Sequence, residues 1–283
     1  MTLYSGETFD EERALYGSDE VLVENCRFDG PADGESALKE SKNVEVKSSY
    51  FNLRYPFWHD THLHITNSEM TDKCRAAIWY SRDIRIENTR MNGIKGLREC
   101  FDVDITGSSI ISPEFGWSVH NISMQDSSAE SEYFMMRSTG LKFRNVRMKG
   151  KYSFQYIEDS TFEDCRFDTK DAFWHAKNVT IKNCTVKGEY LAWYSENVTF
   201  KDCVIMGTQP LCYCKNLKLI NCKMVDADLS FEKSEVDATL IGYVVSVKNP
   251  KSGTIKAQRV GEIIRDDPES TCNIITVSFA DNS

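Results

Sequence analysis

One motif returns along this chain at a fixed interval. In Val179-Thr180-Ile181-Lys182-Asn183-Cys184-Thr185-Val186, two apolar residues flank a polar one, an Asn-Cys pair follows, and a further apolar residue closes the unit. The same order stands in Val198-Thr199-Phe200-Lys201-Asp202-Cys203-Val204-Ile205 and again in Leu217-Lys218-Leu219-Ile220-Asn221-Cys222-Lys223-Met224. The leading residues are spaced by 198 − 179 = 19 and 217 − 198 = 19. A short fixed period means one supersecondary unit stacked on copies of itself, so the repeat constrains the fold before any single residue is weighed.

With each leading apolar residue as position zero, the zeros fall at Val21, Val44, Leu63, Ile84, Val103, Ile122, Leu141, Ser160, Val179, Val198 and Leu217. From Ile84 onward every step is 19; before it the steps are 44 − 21 = 23, 63 − 44 = 19 and 84 − 63 = 21. Apolar, β-branched or aromatic residues alternating with polar ones read as half-buried strands. Position four is Asn, Asp or Gly in most units, residues that tolerate a left-handed backbone, and marks a corner. Position five is small, mostly Cys, Ser or Thr, and position seven is apolar. A second strand segment is expected half a turn later, as in Tyr190-Leu191-Ala192-Trp193-Tyr194.

Short strands, a corner and no helical spacing predict an all-β, right-handed, single-stranded parallel β-helix of about 11–13 coils of ~19 residues, capped at both ends. The 283 residues read as a single domain: a cap at 1–20, regular coils at 21–235, and irregular last coils with a C-terminal cap at 236–283. Glu7 to Tyr16 is expected as a short capping helix.

The formal charge of −9 and the lack of a Lys/Arg cluster argue against nucleic acid or an anionic membrane as partner. Neither a signal-like N-terminus nor a long apolar run is visible, which makes the cytoplasm the expected location. Of ten cysteines, Cys26, Cys165, Cys184, Cys203 and Cys222 share position five, and Cys212 and Cys214 lack a second pair to complete a zinc site. Packed, reduced thiols are expected, with no metal and no cofactor.

Several stretches outside the repeat resemble a family. Glu12-Arg13-Ala14-Leu15-Tyr16-Gly17, Gly34-Glu35-Ser36-Ala37-Leu38-Lys39-Glu40 and Arg54-Tyr55-Pro56-Phe57-Trp58-His59 are similar to those of an uncharacterised bacterial family, domain of unknown function 3737. Ser246-Val247-Lys248-Asn249-Pro250-Lys251-Ser252-Gly253 and Val260-Gly261-Glu262-Ile263-Ile264 extend the resemblance over nearly the whole chain. It implies a pectin-lyase-like β-helix and no established activity, so it assigns no catalytic residue.

The unusual residues lie in the second segment. Position 14 carries Trp58, Trp79, Arg98, Trp117, Met136, Gln155, Trp174, Trp193, Cys212 and Phe231. Position 15 carries His59, Tyr80, Glu99, Ser118, Arg137, Tyr156, His175, Tyr194, Tyr213 and Glu232. Strand neighbours face opposite sides, and the polar content of position 15 points it to solvent, with positions 11 and 13 on the same face. Stacked rings of this kind suit an oligo- or polysaccharide, with Trp58, Tyr80, Trp117, Tyr156, Trp174, Trp193, Tyr194 and Tyr213 as binding residues. Aromatic ladders also stabilise sheets without any ligand.

His59, Glu99, Arg137 and His175 are the acid–base candidates of a lyase or glycoside hydrolase. They stand two coils apart along the axis, so a working pair needs a partner such as Asp60 or Asp171. Two readings stay open: carbohydrate binding along the aromatic face, extending to polysaccharide processing, and a non-catalytic scaffold whose flat face meets another protein or a second copy.

Overall fold

The computed structural model describes residues 1–29 and 35–277. Gly34, at the head of one family-like stretch, and residues 278–283 of the expected C-terminal cap lie outside the described residues. The chain is an all-β parallel solenoid of about 14 turns of ~19 residues, with no helix among the described residues. It divides into two compact units, Met1–Met148 and Lys149–Ser283.

In the second unit the strands Lys177–Lys182 and Glu196–Lys201 pair in parallel, with Val179 beside Val198 and Ile181 beside Phe200. The first unit repeats this with Val44, Leu63 and Ile84 in register. The zero and two positions are buried and their neighbours face water, so burial follows the period-two pattern of the sequence. A short strand follows each corner, such as Thr185–Lys187 beside Val204–Met206.

The corner residues are left-handed, as at Asn183 (φ 51°) and Asn145 (φ 52°). Their amides also hydrogen-bond along the stack: Asn145 donates to Asp126 at 2.7 Å and Asn183 to Asp164 at 2.5 Å. Position five has a chemical requirement besides smallness. Ser108 Oγ donates to its own coil at Thr106 O (2.9 Å) and accepts the Thr89 amide of the preceding coil (3.1 Å). Cys184 does the same, with Lys182 O at 3.1 Å and the Cys165 amide at 3.2 Å. A small side chain with a donor and lone pairs satisfies two backbone groups at a buried corner, which explains Ser, Thr and Cys there. All ten cysteines are free and buried.

Residues 1–20, expected to hold a capping helix, form a further coil instead. Thr2–Ser5 pairs with the following coil, Thr2 beside Val21, and Thr8–Phe9 pairs with Arg27–Phe28. Phe9 stacks on Phe28 at 4.8 Å, and Phe28 on Phe51 at 4.7 Å. The amides of Arg13 and Leu15 bond to Glu35 O and Ala37 O of the next coil, so they are not free to close helical turns. At the other end, Glu235–Lys248 and Ser252–Ile264 are long parallel strands with a register shift between Leu240 and Tyr243, and Asn273–Thr276 follows.

The aromatic segment departs most from expectation. In the first unit it contains only two-residue strands, Phe57–Trp58, Ile78–Trp79 and Leu97–Arg98. In the second unit it is a run of turns in which alternate residues are left-handed: Tyr190 (φ 57°), Ala192 (φ 58°) and Tyr194 (φ 60°). Strand alternation therefore fails. Position 13, expected on the face of position 15, is core: Phe57, Phe154, Phe173 and Leu211 are fully buried. Gly116 takes this place in its coil at φ 80°, where a Cβ would run into the Met135 side chain.

Candidate functional site

Columns 14 and 15 both reach the surface, for different reasons. Each position-14 indole donates to a backbone carbonyl of the next coil: Trp58 to Ala76 O (2.6 Å), Trp79 to Lys95 O (2.8 Å) and Trp117 to Tyr133 O (2.7 Å). In the second unit Trp174 donates to Tyr190 O (2.6 Å) and Trp193 to Gln209 O (2.7 Å). Gln155, an awkward residue for a tryptophan column, makes the same bond to Asp171 O through its amide (3.0 Å). Column 14 is thus a set of staples between coils, half-buried at its tryptophans and Arg98 and buried at Gln155, Cys212 and Phe231.

Arg98 interrupts the staples of the first unit. Its guanidinium lies between Trp79 and Trp117, 5.1 and 5.3 Å from the ring centroids, with Nε 3.5 Å from Glu99. A delocalised cation replaces an indole by stacking on both neighbours.

Column 15 is a ring ladder. In the second unit Tyr156, His175, Tyr194 and Tyr213 stack at 4.8, 5.2 and 4.8 Å, with planes within 8–11° of parallel. In the first unit His59 stacks on Tyr80 at 5.0 Å. Tyr156 and Tyr194 are 45% and 48% exposed. Within the ladder, ring faces are covered by ring faces, so what they show to water is mainly the edge, with its hydroxyl or imidazole nitrogen. Trp193 meets Tyr194 and Tyr213 edge-on, at 83° and 78°, and walls the ladder on one side. Burial and the nearby Glu232 push the Tyr213 hydroxyl above its ordinary pKa.

The acid–base candidates are not brought together. His59, Glu99 and Arg137 stand on alternate coils of the first unit, about 10 Å apart by strand spacing and beyond proton-transfer reach. Asp60, next to His59, points inward: it is 1% exposed, accepts the Ser41 amide at 3.0 Å, and has its carboxyl pushed well above the usual range by burial. His175 is held between two tyrosine faces, and Asp171, four residues before it and raised by burial, has Lys170 and Glu189 as its charged neighbours.

Another constellation was missed in the sequence. His62 Nδ1 lies 2.5 Å from Asp83 Oδ2, and His64 Nε2 lies 3.3 Å from Glu87 Oε1, on the outer face of the first strand line. His62 and Asp83 are 21 residues apart, matching the step of 21 between Leu63 and Ile84. Each stands one residue before a position zero, so the repeat numbering itself places both in one column. Among the described residues no group of three or more His, Cys, Asp and Glu side chains could hold a metal ion. No helix there is long and apolar enough to cross a membrane.

These features define a parallel β-solenoid with stapled tryptophans and surface ring ladders. The chain belongs to the family described as "Protein of unknown function (DUF3737)", whose model matches residues 2–277. Solved structures similar to it include an alginate lyase from Paenibacillus sp. str. FPU-7, 11% identical with a TM-score of 0.39, over 94% of this chain and 99% of that one. The catalytic unit of a GH87 alpha-1,3-glucanase from Streptomyces thermodiastaticus strain HF3-3 is 11% identical with a TM-score of 0.42, over 98% of this chain and 62% of that one. The A-module of the mannuronan C-5 epimerase AlgE4 from Azotobacter vinelandii is 9% identical with a TM-score of 0.31, over 98% of this chain and 87% of that one. No curated protein matches the sequence.

Proposed function

We propose that this protein binds an extended carbohydrate along the ring ladder of its second unit, without turning it over there. The observation that carries the reading is the stack Tyr156–His175–Tyr194–Tyr213, whose rings repeat every 4.8–5.2 Å. That repeat places one hydrogen-bonding edge per coil, of the order of one sugar ring apart. A chain of hydroxyl-bearing units lying along the ladder would meet a tyrosine hydroxyl or imidazole nitrogen at each step. Because the ring faces stack on one another, recognition is by hydrogen bonds from ring edges, with Trp174 and Trp193 as the wall. Binding without chemistry is favoured because the rings stack on one another and Glu232, the next residue of the column after Tyr213, is engaged by Lys248 at 3.1 Å as an ion pair.

Tyr194→Phe tests this directly. It keeps the stack and removes only a hydroxyl, so a loss of about 0.5–1.5 kcal/mol, roughly 2- to 10-fold in affinity, is expected for a saccharide selected on a broad glycan panel. If no glycan binds, or if Tyr194→Phe and Tyr213→Phe both leave affinity unchanged, the reading is wrong. In that case, capture of a second copy or another protein by the same face would favour the scaffold alternative.

A further inference from the structure

An open depression of about 370 Å³ lies on the outer face of the first unit, and His62, His64, Asp83, Arg85, Glu45 and Asn43 are among its lining residues. His62 and His64 lie two residues apart on the strand Thr61–Thr66, His62 with a left-handed backbone (φ 57°), and both line the depression. Each is held through one ring nitrogen by a carboxylate of the next coil, His62 by Asp83 and His64 by Glu87. The other nitrogen of each ring is left for a ligand. An imidazole oriented by a carboxylate is the arrangement of a general base, and two in one depression can take up one proton and deliver another. Arg85 is the register neighbour of His64 in the next coil and also lines the depression, which adds a planar cation to it.

Elsewhere the same column is a purely structural ladder. Asn121 donates to Asp102 at 3.1 Å and Asn178 to Asp159 at 2.8 Å, with asparagine where His62 stands. An asparagine would satisfy the fold at position 62. The titratable ring there, repeated two residues on, is what the repeat does not explain.

We propose that this depression is a general acid–base site that hydrolyses a small phosphodiester. Arg85 holds the non-bridging oxygens. His62, set by Asp83, accepts a proton from water as the water oxygen bonds to phosphorus. The bond from phosphorus to the leaving oxygen breaks, and protonated His64 gives its proton to that oxygen. Diester and water become monoester and alcohol, and the two imidazoles return to their starting states by exchanging protons with solvent. The net charge of −9 disfavours approach of a polyanion, which is why a small diester is specified.

The test uses the full chain with bis(4-nitrophenyl) phosphate, following 4-nitrophenolate release from pH 5 to 9. A bell-shaped kcat/KM is expected. His62→Asn, which restores the ladder residue of other coils and keeps the fold, should lower kcat/KM by about 100-fold or more and remove one limb of the bell. His64→Gln should remove the other limb, and Arg85→Ala should raise KM more than it lowers kcat. Release no faster than in buffer, unchanged rates in His62→Asn, or cleavage of RNA but not of the small diester would overturn the assignment. Glycan affinity in Tyr194→Phe reads the other unit and is independent of this outcome.

Discussion

Trp174→Phe separates a fold staple from a ligand contact. The indole Nε1 donates to Tyr190 O at 2.6 Å and the ring lies 5.4 Å from Trp193, 4° from parallel. Phenylalanine keeps much of the stack but removes the donor. The lost bond is worth about 0.5–1.5 kcal/mol, and a carbonyl left partnerless under the ring adds toward about 1–3 kcal/mol. We therefore expect Trp174→Phe to cost about 1–3 kcal/mol, read as a lower urea midpoint at unchanged slope. Tyr194→Phe, one residue from the facing staple, removes a solvent-facing hydroxyl and should stay within about 0.5 kcal/mol of the parent. Trp174→Gln should recover part of the loss, since Gln155 makes the equivalent bond at 3.0 Å. Equal midpoints for Trp174→Phe and Tyr194→Phe would refute the staple reasoning, as would a glutamine variant weaker than a leucine one.

Four further outcomes follow from the packing. Phe173→Ala empties a site bounded by Phe154 and Phe162, with ring centroids at 4.8 and 5.3 Å, and should cost about 3–5 kcal/mol in chemical denaturation. Ser108→Ala breaks two hydrogen bonds at a buried corner and should cost about 1–3 kcal/mol, whereas Ser108→Cys should cost clearly less in the same titration. Burial raises the Asp60 carboxyl, so the folded chain keeps a proton that the unfolded chain releases. That contribution to stability is full below the ordinary carboxylate range and is lost as pH rises from there through the raised folded value; Asp60→Asn should flatten this slope in urea midpoints taken from pH 4 to 8. The thiols of Cys100 and Cys212, pushed by burial to about 12, should react with a thiol reagent only after unfolding, and rapid labelling of the native chain would contradict their placement.

The solenoid is legible in the sequence because every coil states the same requirements again. Val179, Val198 and Leu217 repeat an inward place, and Asn183, Asp202 and Asn221 repeat a left-handed corner, so errors at one coil are corrected by its neighbours. The aromatic segment is not legible in that way. Its backbone alternates into the left-handed region at Tyr190, Ala192 and Tyr194, a conformation that none of these residues prefers by itself. Only the amides of adjacent coils, such as Tyr190 N bonding to Thr208 O and Ala192 N to Ala172 O, hold them there. Period-two reasoning then places Phe173 outside, when it is core. The repeat numbering does put His62 and Asp83 in one column, one place before zero, but column membership alone does not say that the ring turns toward the carboxylate. Residues 1–20 misled for a related reason: the run from Glu11 to Tyr16 has helix-forming residues, but its amides are claimed by the coil at Glu35 to Lys39.

The two-sided hydrogen bonding at position five has a consequence for how such a chain can change length. Ser49, Ser68, Thr89, Ser108, Ser127 and Cys184 each join the carbonyl of their own coil to an amide of the coil before, so a whole coil added or removed among them remakes each junction with an equivalent partner. A duplication of 19 residues is therefore a nearly neutral event for the fold, while an insertion of one residue inside the strand-and-corner segment leaves a donor and an acceptor stranded on either side. Growth in whole coils, with stray residues tolerated in turns such as the one between Leu63 and Ile84, is the evolutionary signature to expect among longer and shorter members of the family.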